Sequence, residues 1–382
     1  MAPTPSNRLP GIWNGVRWAM QPGVQGGGTS RARLVWRALR ATLGHRKALR
    51  RWMAVVFEQH ARGIVKDLPG EYLRAVRPYV HRGIGVQERV TQLIDHADWM
   101  ETAFQAEAFE QLACGKPLVL AELTAPRGYD FMRLQLQQAP PQSPEGELLL
   151  TLSLQRSADV QHRSQPVDAA VLAFSRFRVD TVSCLVIGGV RGQRHPVLRL
   201  SPMELNQAMQ GWKPSVLIVR VAQELARHWN LHLVGLNPVA HRLHGWSYQW
   251  NGRLRESAQR IYASYDALWE HFDARPGPPG WMMVPVTSDE KLAATALSPE
   301  KRARQTRRAD YWIRTRNLLR LQFRQLLQRP GLEARISRIT ESVEHDSLDE
   351  DEEERLYQRA GFRRSADLVA AHVLHTGPAS LQ

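Results

Sequence analysis

The stretch Val182–Asn237 constrains the fold more than any other. It opens with an apolar run, VSCLVIGGVRGQ, passes through a bend rich in proline and polar residues, and continues as KPSVLIVRVAQELARHWN and then LHLVGLN. The first and last pieces are short and apolar, the length of buried strands. In the middle piece Val216, Leu217, Val219, Val221, Ala222, Leu225 and Ala226 cover much of a helical circumference, which suits a helix lying against a sheet. A helix between two strands predicts that the second strand runs parallel to the first, through a right-handed crossover.

The segments before this unit change period. PLVLAELTA, YDFMRLQLQQ, GELLLTLSLQR and AAVLAFSRFRV each alternate apolar and polar residues or form a short apolar run, and turn clusters such as APRG and APPQSPEG separate them. In GELLLTLSLQR the alternation sends Leu148, Leu150, Leu152 and Leu154 to one face. These are read as successive antiparallel strands with one face on a core. Upstream, Leu34, Val35, Ala38, Leu39 and Leu43 recur at helical spacing among many arginines, and Thr91–Leu112 reads as one further helix ending at Cys114-Gly115. Downstream, SAQRIYASYDALWEHF reads as a helix, PGPPG as a rigid loop and WMMVPV as the last strand. Ser298 and Pro299 then cap and open a long helix rich in arginine.

Together these readings predict an α+β protein. Its centre is a mostly antiparallel sheet with one parallel crossover, preceded by a helical N-terminal region and followed by a long basic C-terminal helix. Residues 1–30 read as flexible, 31–115 as helical, 116–330 as the mixed core, and 341–382 as an acidic, disordered tail.

The chain has 382 residues, 43% of them hydrophobic, enough for a substantial core. No window approaches the roughly 18 apolar residues of a membrane span, and the first residues lack the apolar stretch of a secretory signal. The two cysteines, Cys114 and Cys184, do not make a disulfide framework. The expected location is cytoplasmic, or peripheral at the inner membrane. A net charge of +14 suits an anionic partner such as acidic lipid. Arginine-rich codon usage explains it equally well, and no motif for sequence-specific nucleic-acid binding is present.

IGGVRGQ after a strand, KPSVLIVRVAQELA, LVGLNPVAHR, YASYDALWEHF, WMMVPV and SPEKRARQTRRADYWIRTRNLL stand in the order of the VirK/YbjX family, and the chain resembles that family over roughly Leu43–Gln328. The family is a bacterial domain of unknown function. The resemblance implies a link to envelope stress, antimicrobial peptide resistance and virulence, and no established reaction.

The order of elements also resembles the GNAT acyltransferase fold. That resemblance implies acyl-CoA as cofactor and an acceptor that the sequence does not identify. The pyrophosphate would sit at the central helix N-terminus, near Lys213 and Ser215, with Arg191, Gly192 and Gln193 on the preceding loop. Asn237 matches a polar position beside the thioester. Tyr265 or Tyr262 matches the tyrosine that protonates the leaving thiolate, and His241 is a candidate general base. The glycines depart from the fold's phosphate loop, because they stand well before the helix and a short helix intervenes. Glycines 188, 189 and 192 therefore read equally well as close backbone packing, and Tyr262, Tyr265 and Trp269 as a core-facing helix stripe. His241 and His244 are three apart, but no cysteine or carboxylate completes a metal set, and no metal is predicted. The competing reading is a non-catalytic protein whose basic helix Lys301–Arg324 contacts an anionic membrane surface or a protein partner.

Overall fold

A computed structural model describes residues 13–21, 31–155, 166–192, 202–241, 265–286 and 298–328. The glycine-rich linker, Gln193, the Ser201 cap, His244, Tyr262 and the acidic tail lie outside the described residues.

Six helices come first: α1 (Asn14–Met20), α2 (Arg31–Gly44), α3 (Arg46–Ala61), α4 (Leu68–Arg74), α5 (Val86–Ala103) and α6 (Ala106–Ala113). Five strands follow: β1 (Leu118–Leu123), β2 (Phe131–Gln138), β3 (Leu148–Gln155), β4 (Val167–Val179) and β5 (Val182–Gly192). Then come α7 (Pro202–Ala208), α8 (Pro214–His228) and β6 (His232–Leu236), with a helix α9 at 265–271. The edge strand β7 (Arg275–Pro276), β8 (Trp281–Val284) and α10 (Pro299–Leu326) complete the described chain.

The eight strands form one sheet in the order β1-β2-β3-β4-β5-β6-β8-β7. Every neighbouring pair is antiparallel except β5 and β6, which run parallel with α8 between them, as the crossover argument expects. β8 slots between β6 and β7. β7 ends on the first residue of what the sequence presents as the rigid PGPPG loop, and two residues are too few for a periodic signal.

The sheet is covered on both faces at its centre. Leu185 and Ile187 of β5 join a core with α6, α8, α9 and α10, while Cys184 and Val186 join a second core with α2, α3, α4 and the start of α5. A strand buried on both faces has no polar side, which is why β5 reads as a continuous apolar run. β2, half-exposed on one face, shows clean alternation instead. Cys184 acts as a small apolar residue, and burial pushes its thiol up to about 11.

The second core contains more charge than its apolar list suggests. Arg74 is buried in ion pairs with Glu147 and Glu71, and Arg89 donates to the Ala75 and Ile84 carbonyls at 2.9 and 2.8 Å. Arg77 donates to the Pro141 carbonyl at 3.0 Å. Arg74 and Arg77 tie the helical region to the loop before β3, and Arg89 braces the helical region itself.

The expected single helix over Thr91–Leu112 is two. Phe104 takes an extended conformation, φ −123° and ψ 150°, between α5 and α6. There it forms a β-bridge with Leu327, and its ring packs against Trp99 and Trp229. Leu43 also departs from expectation. It shares the period of Leu34 and Ala38 yet is 64% exposed.

Candidate functional site

β5 and β6 pair in register only from Cys184–His232 to Ile187–Gly235. Beyond that point β5 keeps company with β4 as far as Gly192, while β6 ends at Leu236 and the chain turns at Asn237. The two strands therefore part, and main-chain groups on their facing edges lose strand partners.

Helix α9 fills the gap. The Val190 amide donates to the Tyr265 hydroxyl at 2.8 Å, and the Trp269 indole N–H donates to the Leu236 carbonyl at 2.9 Å. Tyr265 and Trp269 are one helical turn apart, so one face of α9 meets both edges of the fork. The two rings lie 5.9 Å apart, and both are buried. Gly235 makes this approach possible, because a Cβ there would stand 2.4 Å from the Trp269 ring.

His241 stands edge-on to the Tyr265 ring, 6.2 Å between centroids, and is 1% exposed. Its backbone forms a bridge with His81, whose ring stacks on Trp281 at 5.2 Å. Asn237 lies at the end of β6. Its Oδ1 accepts the Val239 amide at 3.0 Å, which closes the turn Pro238–Ala240, and its own amide donates to the Gly280 carbonyl at 3.0 Å. The side chain thus caps a turn at the mouth of the fork.

The residues expected to hold the cofactor form a second group. Lys213 is the N-cap of α8 in an extended conformation with no side-chain capping bond, and Pro214 and Ser215 follow in the first turn. The first amides of this 15-residue helix thus have no side-chain acceptor from the cap. Trp212 is anchored beside them: its indole donates to the Arg308 carbonyl at 3.0 Å, and the Arg308 guanidinium lies 4.6 Å from its ring centre. Arg191 lies near the end of β5 and pairs with Glu145 at 3.4 Å. No hydrogen bond or ion pair among the described residues joins Lys213 or Ser215 to the Tyr265 group. Gly188 and Gly189 sit where a Cβ would meet the Glu145 carbonyl at 2.1 Å and its carboxylate at 2.5 Å, so their role is close packing of β5 on the loop before β3. A Cβ at Gly192 meets nothing within 4 Å.

The structure therefore sets the Tyr265 ring against His241 and its hydroxyl on the Val190 amide, and has Asn237 cap the turn after β6. Sequence reasoning missed Val190, which contributes through its main chain, and treated Trp269 only as packing. The one signal available was the spacing of Tyr265 and Trp269, a polar-tipped aromatic stripe facing a strand end.

No curated protein and no solved structure matches the chain. A family described as "Protein of unknown function (DUF535)" matches residues 28–316. That is most of the chain and takes in α2 to α9, the whole sheet and the first turns of α10, so the chain belongs to the DUF535 family, the VirK/YbjX family of unknown function.

Proposed function

We propose that the chain is a GNAT-like acyltransferase that moves an acyl group from acyl-CoA to an acceptor. The observation that carries this reading is the fork between β5 and β6, with the Tyr265 hydroxyl 2.8 Å from the Val190 amide inside it. A strand amide with no strand partner is a preorganised donor for a thioester carbonyl oxygen, and such donors stabilise the charge that develops there. In this reading the acceptor attacks the carbonyl carbon and the carbon–sulfur bond breaks. The departing thiolate takes the Tyr265 proton, and His241, against the Tyr265 ring, receives the acceptor's proton. The start of α8, with Lys213 and Ser215, would hold the pyrophosphate through its amides and the positive end of the helix. Entry of the thioester requires the Tyr265–Val190 bond to open. The family resemblance connects such an activity to envelope stress and antimicrobial peptide resistance.

The test is titration calorimetry of the full chain with acetyl-CoA and longer acyl-CoAs. Saturable binding to one of them that Tyr265→Phe leaves intact, with transfer to an acceptor that Tyr265→Phe abolishes, supports the reading. A flat response to every acyl-CoA removes it.

A second reading has its own observation. Ile313, Leu318 and Leu321 of α10 are 46%, 44% and 53% exposed, beside exposed Arg307, Arg314 and Arg324. A helix with that surface suits non-catalytic contact with an anionic membrane. Loss of liposome binding as salt rises favours it, and absence of binding to anionic liposomes at low salt removes it.

A further inference from the structure

On the sheet face opposite α8, a cleft of about 370 Å³ opens between α2, the segment before α5 and the first turn of α5. Arg37, Arg40, Arg82 and Arg89 line it, with His45 and His81, and no carboxylate does. Among the described residues none of the four guanidiniums has an ion-pair partner. Arg89 is 7% exposed; its two terminal nitrogens hold backbone carbonyls, and its Nε is buried without a partner. Arg37 also buries one terminal nitrogen, Nη1, without a partner.

Two facts make this arrangement costly as it stands. Burial, and then the neighbouring Arg37 charge, pulls the Arg89 guanidinium down to about 10. The cleft also sits at the positive end of an 18-residue helix, whose N-cap Gly85 supplies no side-chain acceptor. Glu88, the acid of that first turn, is exposed, takes a hydrogen bond from Gln92 and does not line the cleft. Like charges gathered at a helix N-terminus become favourable when a multiply charged anion lies between them.

We infer that this cleft binds a phosphate group, held by the guanidiniums of Arg37, Arg40 and Arg82 and by the amides at the start of α5, with the buried Arg89 charge behind them. A planar guanidinium fork pairs with two oxygens of a carboxylate or of a phosphate, and several forks around one cleft suit phosphate, which offers more oxygens and more charge than a single carboxylate. The phosphate has two chemical sources, a soluble phosphorylated molecule or an anionic lipid headgroup. The second is represented on the surface itself. Trp36, Arg40 and Leu43 share one stripe of α2, and the two apolar members are 63% and 64% exposed on either side of Arg40. The cleft is distinct from the pyrophosphate position of the acyl-CoA reading, since it lies across the sheet from Lys213, although its His81 is bridged through the backbone to His241.

The experiment uses the full chain, with two probes and two pairs of substitutions. The probes are inorganic pyrophosphate, by calorimetry, and vesicles of phosphatidylglycerol in phosphatidylcholine, by cosedimentation. Arg37→Gln with Arg82→Gln removes two charges from the cleft, while Arg127→Gln with Arg275→Gln removes two from exposed positions outside both the cleft and α10. The expected result is at least a tenfold loss of affinity in the cleft pair and less than threefold in the control pair. Seen with pyrophosphate, it identifies a soluble phosphate; seen only with vesicles, a headgroup. Arg82→Gln alone, at an exposed position, gives the same direction if the double substitution unfolds. Three results overturn the inference: no binding to either probe, equal weakening by both pairs, or binding lost in Lys213→Gln and kept in the cleft pair.

Discussion

The Val190 amide and the Tyr265 hydroxyl meet at 2.8 Å across the gap where β5 and β6 part. The bond joins a main-chain donor on a strand edge to the tip of a helix α9 side chain, and it serves stability and the proposed chemistry at once. Tyr265→Phe leaves the ring in place and strips the amide of its acceptor. The Val190 site is half-buried, so leaving its donor without a partner costs about 1 kcal/mol, the low end of the range for buried groups. Urea unfolding of Tyr265→Phe should show that loss with the denaturant slope unchanged, while acyl transfer, if assayed, should fall in kcat and not in KM.

Gly235 and Trp269 form the other wall of the fork. A Cβ at position 235 would stand 2.4 Å from the indole, so Gly235→Ala forces the ring aside, at a cost of about 1–3 kcal/mol. Trp269→Phe removes the crowding ring edge but also the donor to the Leu236 carbonyl. The two substitutions should couple, with the double variant more stable than the sum of the singles predicts by at least about 0.5 kcal/mol. Additive losses would mean that the crowding is relieved elsewhere.

The parts of the fold that repeat along the chain were legible in the sequence. Leu148, Leu150, Leu152 and Leu154 declare a strand by period two, and Val216–Ala226 declares a helix lying on a sheet by period and by apolar breadth. The parallel β5–β6 pair followed from connection rules alone. What stayed hidden is held by tertiary contact or by main chain. Nothing between Trp99 and Leu112 marks a helix break, because no glycine or proline stands at Phe104. The candidate site was half legible: Tyr265, with Tyr262 as its alternative, follows from the fold resemblance and His241 from its imidazole, whereas Val190 has no side-chain signature for an amide left open by a strand fork. The glycines near the end of β5 drew attention for phosphate binding, yet Gly188 and Gly189 answer to the Glu145 backbone and side chain. The arginine cleft was invisible because its members come from α2, a loop and α5, where each looks like ordinary surface charge.

Phe104 tests the tertiary origin of the break between α5 and α6. It is 1% exposed, 6.1 Å from the Trp99 ring and 5.7 Å from the Trp229 ring. Phe104→Ala should cost about 3–5 kcal/mol in urea unfolding. If the aromatic contacts hold the break open, the variant should also lose amide protection at Gln105 and Gln328, which bond across to Leu326 and Ala103. Unchanged hydrogen exchange at those two amides would assign the break to the backbone bridge with Leu327 alone.

His96 makes stability depend on pH in a direction that can be worked out. It is 6% exposed, and its Nδ1 accepts the Arg176 amide at 3.1 Å. Burial above all, then the Arg74 and Arg176 charges, brings it down to about 3 from an ordinary 6.5. Between those values the unfolded chain binds a proton that the folded chain refuses, so stability rises with pH from about 3 to 6.5 and is level above. The slope is on the order of 1.4 kcal/mol per pH unit. His96→Asn keeps an acceptor for the Arg176 amide and cannot titrate. Urea midpoints measured at pH 7, 5.5 and 4.5 should show wild type falling away from His96→Asn as the pH drops. Parallel profiles for the two proteins would mean that His96 takes up its proton in the folded state, through an opening of the core between α5 and β4.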